Sequence, residues 1–286
     1  MNKSAEILLI GGTKAEKSIE VYNPRKPATN KILASQLLSN RSGHVSGLLP
    51  NQKVITTGGR TTELLDLTTL EVTAGPDTLV AHTGATGLTV SGKFLVIGGE
   101  ESLDCEAFDV ADNKWHTVTA LTKQRLNASS AAINDTAIFL IGGCRTEGIA
   151  AFKHQTRLDT VKVFDAKKNS WSDGPKMRSV REQPAAASSA NCVFVSGGKD
   201  HNGTTLNSCE RLDVRKRKWH KVPNMNAARY GHVLIKYGDD LLAIGGHSEA
   251  GSNLVEQLDV RMNKWLVVGT TLCDRTDFSA VLLDYS

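Results

Sequence analysis

The sequence lacks any apolar run long enough to cross a membrane. A membrane-spanning helix needs about 18 or more consecutive apolar residues, whereas this chain of 286 residues has only short runs such as Ile7–Ile10. The polar opening Met1–Ser4 followed by that run is a poor match to a signal peptide, because the apolar part is too short. We therefore expect no membrane partner.

The cysteines also lack the number and spacing typical of disulfide frameworks or zinc sites. The five cysteines are an odd number without close spacing, and the chain contains neither a Cys-x-x-Cys nor a His-x-His pair. A disulfide framework and a structural zinc site are therefore not expected. The sequence predicts five free thiols in a reducing compartment, for which the cytosol is the natural choice, and it predicts no metal or other cofactor.

Signals for nucleotides and nucleic acids are weak. The net charge is only +4, aromatic residues make up 5% of the chain, and basic and aromatic residues are not interleaved, so nucleic acid is not an expected partner. Gly87–Lys93 matches most of a phosphate-binding loop, but Phe94 stands where Ser or Thr would hold magnesium. The basic run Arg215–Lys218 is predicted to be a solvated turn, with nuclear import or actin contact as alternatives.

What the sequence does contain is a repeat. Six glycine doublets each close a short apolar run, and their first glycines lie 47, 40, 44, 55 and 48 residues apart. The doublets are Gly11-Gly12, Gly58-Gly59, Gly98-Gly99, Gly142-Gly143, Gly197-Gly198 and Gly245-Gly246. A period of about 40 to 50 residues is typical of repeat folds whose units are small sheets. We predict one domain over residues 1–286.

Two further marks recur in each repeat. A tryptophan follows an aspartate by six residues in four repeats, at Asp109/Trp115, Asp165/Trp171, Asp213/Trp219 and Asp259/Trp265. A cation stands 16 or 17 residues before each of five doublets, at Arg41, His82, Arg125, Arg181 and Arg229. Arg275 opens a final strand-like segment that has no doublet after it. These marks divide each repeat into four strands.

The set of doublet, apolar-Asp and later Trp resembles the kelch family of β-propellers over essentially the whole chain. The resemblance implies an all-β, six-bladed propeller with four antiparallel strands per blade. Residues 206–246 follow the pattern closely, whereas the first two repeats lack the tryptophan and should form less regular blades. The segment from Arg275 to Leu283 reads as a first strand, so we expect this C-terminal strand to complete the N-terminal blade and close the ring.

The expected binding surface is one mouth of the central channel. In an up-and-down sheet, the loop entering the first strand and the loop leaving the second open on the same face. The predicted partner-binding residues are Arg41, His82, Arg125, Arg181, Arg229, Tyr230, Arg275, Phe278, Arg60, Arg145, His201, Asn202 and His247. A ring of guanidinium groups would suit carboxylates or phosphates. The alternative is that each arginine pairs with a backbone carbonyl or an acidic residue of the next blade and so serves the repeat itself.

An insertion supports the prediction that this face binds a partner. The spacing from Gly143 to Asp165 is the longest between a doublet and its aspartate, and the insertion around 144–159 is expected to project beside the cations. A tolerated, disordered insertion is the alternative.

We therefore predict a non-enzymatic module that binds an acidic or phosphorylated peptide of a protein partner. The repeats look most like those of animal kelch proteins whose BTB and BACK domains recruit substrates to a cullin ubiquitin ligase, although this sequence contains neither domain. An actin-binding cytoskeletal scaffold is the next hypothesis. A third is an enzyme similar to the kelch-type sialic-acid mutarotase, which would need a general base in the pore.

Overall fold

The computed structural model describes residues 5–100, 102–147 and 154–283. The chain forms six sheets of four antiparallel strands, arranged as the blades of a β-propeller, plus one short two-stranded hairpin. The predicted fold class is confirmed. Among the described residues, no helix has the length and apolar character needed to cross a membrane.

The first three blades follow one another along the chain. Blade 1 holds β1 (Glu6–Ile10), β2 (Ile19–Tyr22), β3 (Lys31–Ile32) and the C-terminal β26 (Ser279–Leu283), with a 3-10 turn at Pro27–Thr29. Blade 2 holds β4 (Val45–Leu48), β5 (Lys53–Gly58), β6 (Thr61–Asp66) and β7 (Val72–Ala74). Blade 3 holds β8 (Thr86–Val90), β9 (Lys93–Ile97), β10 (Cys105–Asp109) and β11 (Lys114–Val118).

The other three blades repeat this order. Blade 4 holds β12 (Ser129–Ile133), β13 (Ala137–Ile141), β16 (Val161–Asp165) and β17 (Ser170–Asp173). Its insertion forms the hairpin β14 (Cys144–Glu147) and β15 (His154–Arg157); residues 148–153 lie outside the described part of the chain. Blade 5 holds β18 (Ala185–Ser189), β19 (Cys192–Ser196), β20 (Cys209–Asp213) and β21 (Lys218–Val222). Blade 6 holds β22 (Val233–Tyr237), β23 (Asp240–Ile244), β24 (Leu254–Asp259) and β25 (Lys264–Thr270).

The ring is closed by the pairing of β26 with β1. Their antiparallel register runs from Glu6 opposite Leu283 to Ile10 opposite Ser279. The innermost strands contact one another in the cyclic order β26, β4, β8, β12, β18, β22 and back to β26. The C-terminal strand therefore completes the N-terminal blade, as predicted.

The hydrophobic core lies between the blades. The second strand of a blade is apolar on both faces, as in β9 and β13, because each face packs against a neighbouring sheet. One buried cluster, for example, joins Phe139 and Ile141 of blade 4 to Val195 and Trp219 of blade 5. Packing between blades, which one sheet alone cannot provide, is therefore what stabilises each unit.

The tryptophans also connect neighbouring blades through hydrogen bonds. Each indole Nε1 donates to a backbone carbonyl at the outer edge of the preceding blade: Trp115 to Pro76, Trp171 to Thr119, Trp219 to Pro175 and Trp265 to Pro223. The bond lengths are 2.8–3.0 Å. Blades 1 and 2 have no tryptophan, and their outer strands are the shortest of the six, with two residues in β3 and three in β7. The predicted irregularity of these two blades is confirmed.

The doublet glycines have a steric role that is clearest at Gly98. Its φ is +65°, and a Cβ placed there would lie 2.6 Å from the backbone oxygen of Arg125 in the next blade. A side chain is therefore excluded both by the left-handed backbone and by the close approach of the neighbouring blade. Gly59 has a similar φ of +63°, but no atom lies within 4 Å of its virtual Cβ.

This contrast yields a prediction for the pair Gly98→Ala and Gly59→Ala. The left-handed conformation alone should cost about 1–2 kcal/mol of unfolding free energy in Gly59→Ala. Gly98→Ala should cost about 3 kcal/mol, because overpacking against the Arg125 carbonyl is added to the same backbone strain. Chemical denaturation of both variants measures the difference. Equal losses would mean that the close approach between blades does not require glycine.

Candidate partner-binding face

The six predicted cations, here called the repeat cations, are buried inside the blades. They are Arg41, His82, Arg125, Arg181, Arg229 and Arg275, and none exposes more than 6% of its surface. The expectation that their charged groups surround the channel mouth is therefore wrong. Phe278 is buried as well and packs with Ile7, Leu9 and Tyr22 in the core.

Each arginine uses its donors within its own blade. The Nη1 group of Arg181 donates to the carbonyls of Gly197 and Ser208, both at 2.8 Å. Arg229 makes the equivalent bonds to Gly245 and Leu254. The first glycine of the doublet thus presents its carbonyl to the repeat cation. The arginines therefore make structural contacts, as in the alternative, but their side-chain partners lie in the same blade and not in the next one.

The same residue also joins two blades through its backbone. The second glycine of a doublet donates its amide to the carbonyl of the repeat arginine in the following blade, as Gly198 does to Arg229 at 2.9 Å. Gly143 donates in the same way to Arg181, and Gly246 to Arg275. Side chain and backbone of one arginine therefore hold its own strand ends and the neighbouring blade together.

A buried glutamate neutralises the repeat cation in five blades. These repeat glutamates are Glu20, Glu63, Glu106, Glu210 and Glu256, each three residues before the end-of-strand Asp or Asn. They pair respectively with Arg275, Arg41, His82, Arg181 and Arg229 at 2.6–3.5 Å. Sequence reasoning missed them, although their constant spacing from the aspartate was a readable signal.

Burial and pairing shift the pKa of these groups. Burial lowers the pKa of Arg229, and the charge of Glu256 opposes that shift without cancelling it. Burial alone would raise the pKa of Glu106, but hydrogen bonds from His82 and from two backbone amides outweigh it and the net pKa is lowered. The pKa of Glu106 is thus held low by the partners that surround it within the blade.

Removal of one such arginine should destabilise the fold. Arg181→Met leaves the Glu210 carboxylate buried without its partner, and we expect a loss of about 3–5 kcal/mol of unfolding free energy. Adding Glu210→Gln should recover part of this loss, because the unpaired charge disappears. The exposed neighbour Arg178→Met should change stability by about 0.5 kcal/mol or less. Chemical denaturation of the parent protein and these three variants measures the losses. A fully stable Arg181→Met variant would contradict the structural role of Arg181.

The channel mouth is formed instead by the residues two positions after the repeat cations. These are Gly43, Gly84, Asn127, Gln183, Gly231 and Asp277, all with φ between +50° and +66°. Five backbone hydrogen bonds link neighbouring members of this set, and in each the amide of one residue donates to the carbonyl of the next. Gln183, for example, donates to Asn127 at 2.9 Å. The mouth is therefore narrow, rigid and mostly uncharged.

Asp277 is the acidic side chain among these six residues. Its Oδ1 accepts a 2.8 Å hydrogen bond from Nε2 of Gln183. Burial raises the pKa of Asp277, an effect that the nearby Lys199 charge and the Gln183 bond oppose. The channel below is lined mainly by small and hydroxyl side chains, such as Ser46, Thr86 and Ser130.

A half-buried lysine and two aromatic rings lie beside the mouth on blades 5 and 6. The ammonium of Lys199 stands 3.7 Å from the centroid of the Tyr230 ring, and that ring stacks on His247 at 4.9 Å. We call Lys199, Tyr230 and His247 the rim cluster. Backbone bridges join Tyr230 to His247 and Glu182 to Lys199. The loop before the first strand and the loop after the doublet therefore meet on one face, as predicted.

The other predicted residues are distributed around this face. Arg60, His201 and Asn202 are exposed in the loops after the doublets of blades 2 and 5. Arg145 is half-buried in the blade 4 hairpin and pairs with Glu147 at 2.6 Å. The predicted residues that remain exposed or half-buried thus lie on blades 2, 4, 5 and 6 and do not form a continuous ring.

Two histidines lie buried behind the mouth. His44 and His232 occupy equivalent positions, three residues after a repeat cation, and His232 Nε2 lies 2.8 Å from Ser196 Oγ. Burial, with the Arg41 charge second, lowers the pKa of His44 to about 3. Burial also lowers the pKa of His232 well below its usual value, with help from Arg229 and Arg181. Both side chains are neutral in the folded protein at neutral pH.

These pKa values predict loss of stability in acid. Below about pH 6.5 the unfolded chain takes up a proton on each histidine, whereas folded His44 does not until about pH 3. Stability should therefore fall as pH drops from about 6.5 towards 3, by about 1.4 kcal/mol per pH unit for each histidine. His44→Gln or His232→Gln should make the denaturation midpoint change less with pH across this range than in the parent protein. Identical slopes in all variants would contradict the assignment.

The thiols and acids do not assemble a metal centre in the described residues, where no group of three or more His, Cys, Asp or Glu side chains is placed to hold an ion. All five cysteines are free. Burial raises the pKa of Cys105, Cys144 and Cys209 to about 12, so these thiols are poor nucleophiles.

Comparison with known proteins agrees with the fold. Residues 61–246 match the KLHDC2/KLHL20/DRC7 Kelch-repeats domain, which is more than half of the chain. The chain therefore belongs to the kelch-repeat family of β-propellers, and a kelch propeller fits a protein-interaction module.

Curated relatives carry the same repeats in longer chains. Kelch domain-containing protein 8B from Bos taurus is 30% identical over 160 residues, covering 54% of this chain and 45% of its own length. Kelch-like protein 25 from Xenopus tropicalis is 24% identical over 268 residues, covering 86% of this chain and 43% of its own. The Caenorhabditis elegans spermatocyte protein spe-26 is 26% identical over 181 residues, covering 61% and 30%. The alignments thus span less than half the length of each of these relatives.

Proposed function

We propose that this propeller captures an acidic or phosphorylated peptide of a partner protein on the face that bears the rim cluster. The observation that supports this most directly is the contact of the Lys199 ammonium with the Tyr230 ring, itself stacked on His247. An ordered ammonium beside a half-buried tyrosine ring and an exposed imidazole combines charge with apolar contact area, the combination found in interface anchors.

The surrounding charges support the same choice of ligand. Arg60, Arg145 and His201 lie on the same face and can act as further donors to carboxylate or phosphate oxygens. Because the repeat cations are buried and paired, the peptide would contact the loops after the doublets and would not enter a ring of arginines. This narrows the predicted set to Arg60, Arg145, His201, Asn202, Tyr230 and His247, with Lys199 added.

The cellular setting completes the proposal. Substrate recognition for a cullin-based ubiquitin ligase is the role we favour, with the ligase reached through BTB and BACK domains outside this sequence. A cytosolic location accords with five free thiols. A mutarotase-like activity would require a general base in the pore, and Asp277 is the carboxyl group at the described mouth.

Peptide binding by designed variants tests the site. Fluorescence anisotropy would compare a labelled glutamate-rich peptide with its phosphoserine counterpart. Lys199→Glu and Tyr230→Ala should each weaken binding by about tenfold or more, as expected when an interface anchor is lost. The matched control is Lys216→Glu, a charge reversal in the exposed turn of blade 5, which should bind like the parent protein.

The same variants distinguish the actin-binding hypothesis from the peptide-binding proposal. Its supporting observation is the exposed basic run Arg215–Lys218 in the turn between β20 and β21. If the propeller co-sediments with actin filaments, and Lys216→Glu abolishes this while Lys199→Glu does not, the scaffold function replaces the peptide proposal. Undiminished peptide binding by Lys199→Glu and Tyr230→Ala would likewise overturn the proposed site.

A further inference from the structure

One blade departs from the repeat at a position that matters electrostatically. Three residues before the end-of-strand aspartate, where the other five blades carry a repeat glutamate, blade 4 has Lys162. The strand register is unchanged: Lys162 lies between Leu140 and Asp173, just as Glu210 lies between Val195 and Lys221 in blade 5. Blade 4 thus has a cation in place of the carboxylate that neutralises the repeat cation elsewhere.

That carboxylate binds backbone amides as well as the cation. In blade 5, Glu210 accepts hydrogen bonds from the amides of Arg178 and Ser179 at 2.8 and 3.1 Å. Glu63, Glu106 and Glu256 accept from the equivalent amide pairs, three and two residues before their own repeat cations. The glutamate therefore fills a preformed site with two amide donors on one side and a cation on the other.

The donors of this site are retained in blade 4. The equivalent amides belong to Thr122 and Lys123, and neither donates a hydrogen bond within the described residues. Arg125 keeps its bonds to the carbonyls of Gly142 and Thr160, both at 2.9 Å, and its Nη2 donates to the Thr160 hydroxyl. No carboxylate of the described residues pairs with Arg125 in the way that Glu210 pairs with Arg181.

Lys162 does not substitute for the missing contacts. Its ammonium points to Asp173 on the outer strand at 2.7 Å, and that carboxylate is 81% exposed. Burial, with the charge of Arg145 second, lowers the pKa of Arg125 to about 10. Arg125 is 6% exposed, and among the described residues the acids that act on its charge, Asp173 and Asp159, form no ion pair with it.

These groups line one open cavity of about 320 Å³. Its lining includes Thr122, Lys123, Arg125, Arg145, Lys162 and Asp173. Four of these six side chains are cationic and one is acidic. The cavity is therefore large enough for a small anionic group and carries an excess of positive charge.

We propose that the blade 4 cavity binds a carboxylate of a partner chain, which takes the position that the repeat glutamate occupies in the other blades. Two neighbouring amides and a guanidinium match the two oxygens of a carboxylate, the group that the same donors hold internally in blades 2 and 5. The inference does not depend on the rim cluster and uses a different probe, although Arg145 belongs both to the proposed peptide-binding face and to the lining of this cavity.

The decisive variant is Lys162→Glu, which restores the carboxylate of the repeat. In the parent protein, titration with acetate should shift the Thr122 and Lys123 amide resonances saturably in a ¹H–¹⁵N spectrum. In Lys162→Glu the internal carboxylate should occupy the donors, so these two resonances should already be displaced and should no longer respond to acetate. The thermal midpoint should also rise, by about 2–4 °C for satisfied buried donors of this kind.

The control is Lys167→Glu, the same charge change in the exposed turn of the same blade. It should leave both the acetate response and the thermal midpoint as in the parent protein. Inorganic phosphate, titrated in parallel, separates the two kinds of anion. The proposal fails if acetate leaves Thr122 and Lys123 unshifted, if phosphate alone shifts them, or if Lys162→Glu responds to acetate like the parent.

Discussion

A buried cation held between a glycine carbonyl and a glutamate carboxylate is the contact on which this propeller depends. In blade 5, the Arg181 guanidinium reaches the carbonyl of Gly197 and the carboxylate of Glu210, while its backbone carbonyl accepts from Gly143 of the preceding blade. Such a charge is stable in the interior only because each of its partners is fixed by the sheet. The glycine doublet, the first strand and the third strand are therefore tied to one another by a single side chain.

This contact explains why the charged residues of the repeat do not make the binding surface. The mouth of the channel is built from glycines, amides and Asp277, and accessible charge is displaced outward to loops that differ from blade to blade. The repeat thus supplies a rigid frame, while loops such as those bearing Lys199 and His247 vary without cost to the frame. Functional diversity within the family would follow from those loops.

The sequence predicted the architecture well because the repeat marks are steric. Gly98 and its equivalents are needed where blades approach closely, and Trp115 and its equivalents fill the space between blades, so their spacing defines strands directly. The direction of an arginine side chain is not fixed in this way. Arg229 has the spacing expected of a residue at the channel mouth, but its side chain is buried inside the blade, because Glu256 and the Gly245 carbonyl offer hydrogen-bond partners there.

The sequence also contained a signal for the buried partners of the arginines. Glu210 and its equivalents recur with constant spacing, as does the exception at Lys162, and buried acids at constant spacing would have pointed to internal partners for the arginines. By contrast, the contacts among Lys199, Tyr230 and His247 join three separate loops, and Lys199 is about thirty to fifty residues from the other two in sequence. Nothing local predicts it, because it arises from the meeting of adjacent blades.

The pairing of β26 with β1 has a consequence for biosynthesis. Residues 6–10 leave the ribosome before the other strands of the propeller but acquire their inner neighbour only when residues 279–283 have been made. Until then, the amino-terminal sheet exposes an unpaired edge that could join a second molecule. Pairing of β26 with β1 therefore closes the propeller only at the end of its synthesis. The nascent propeller is most prone to misassembly before that pairing forms.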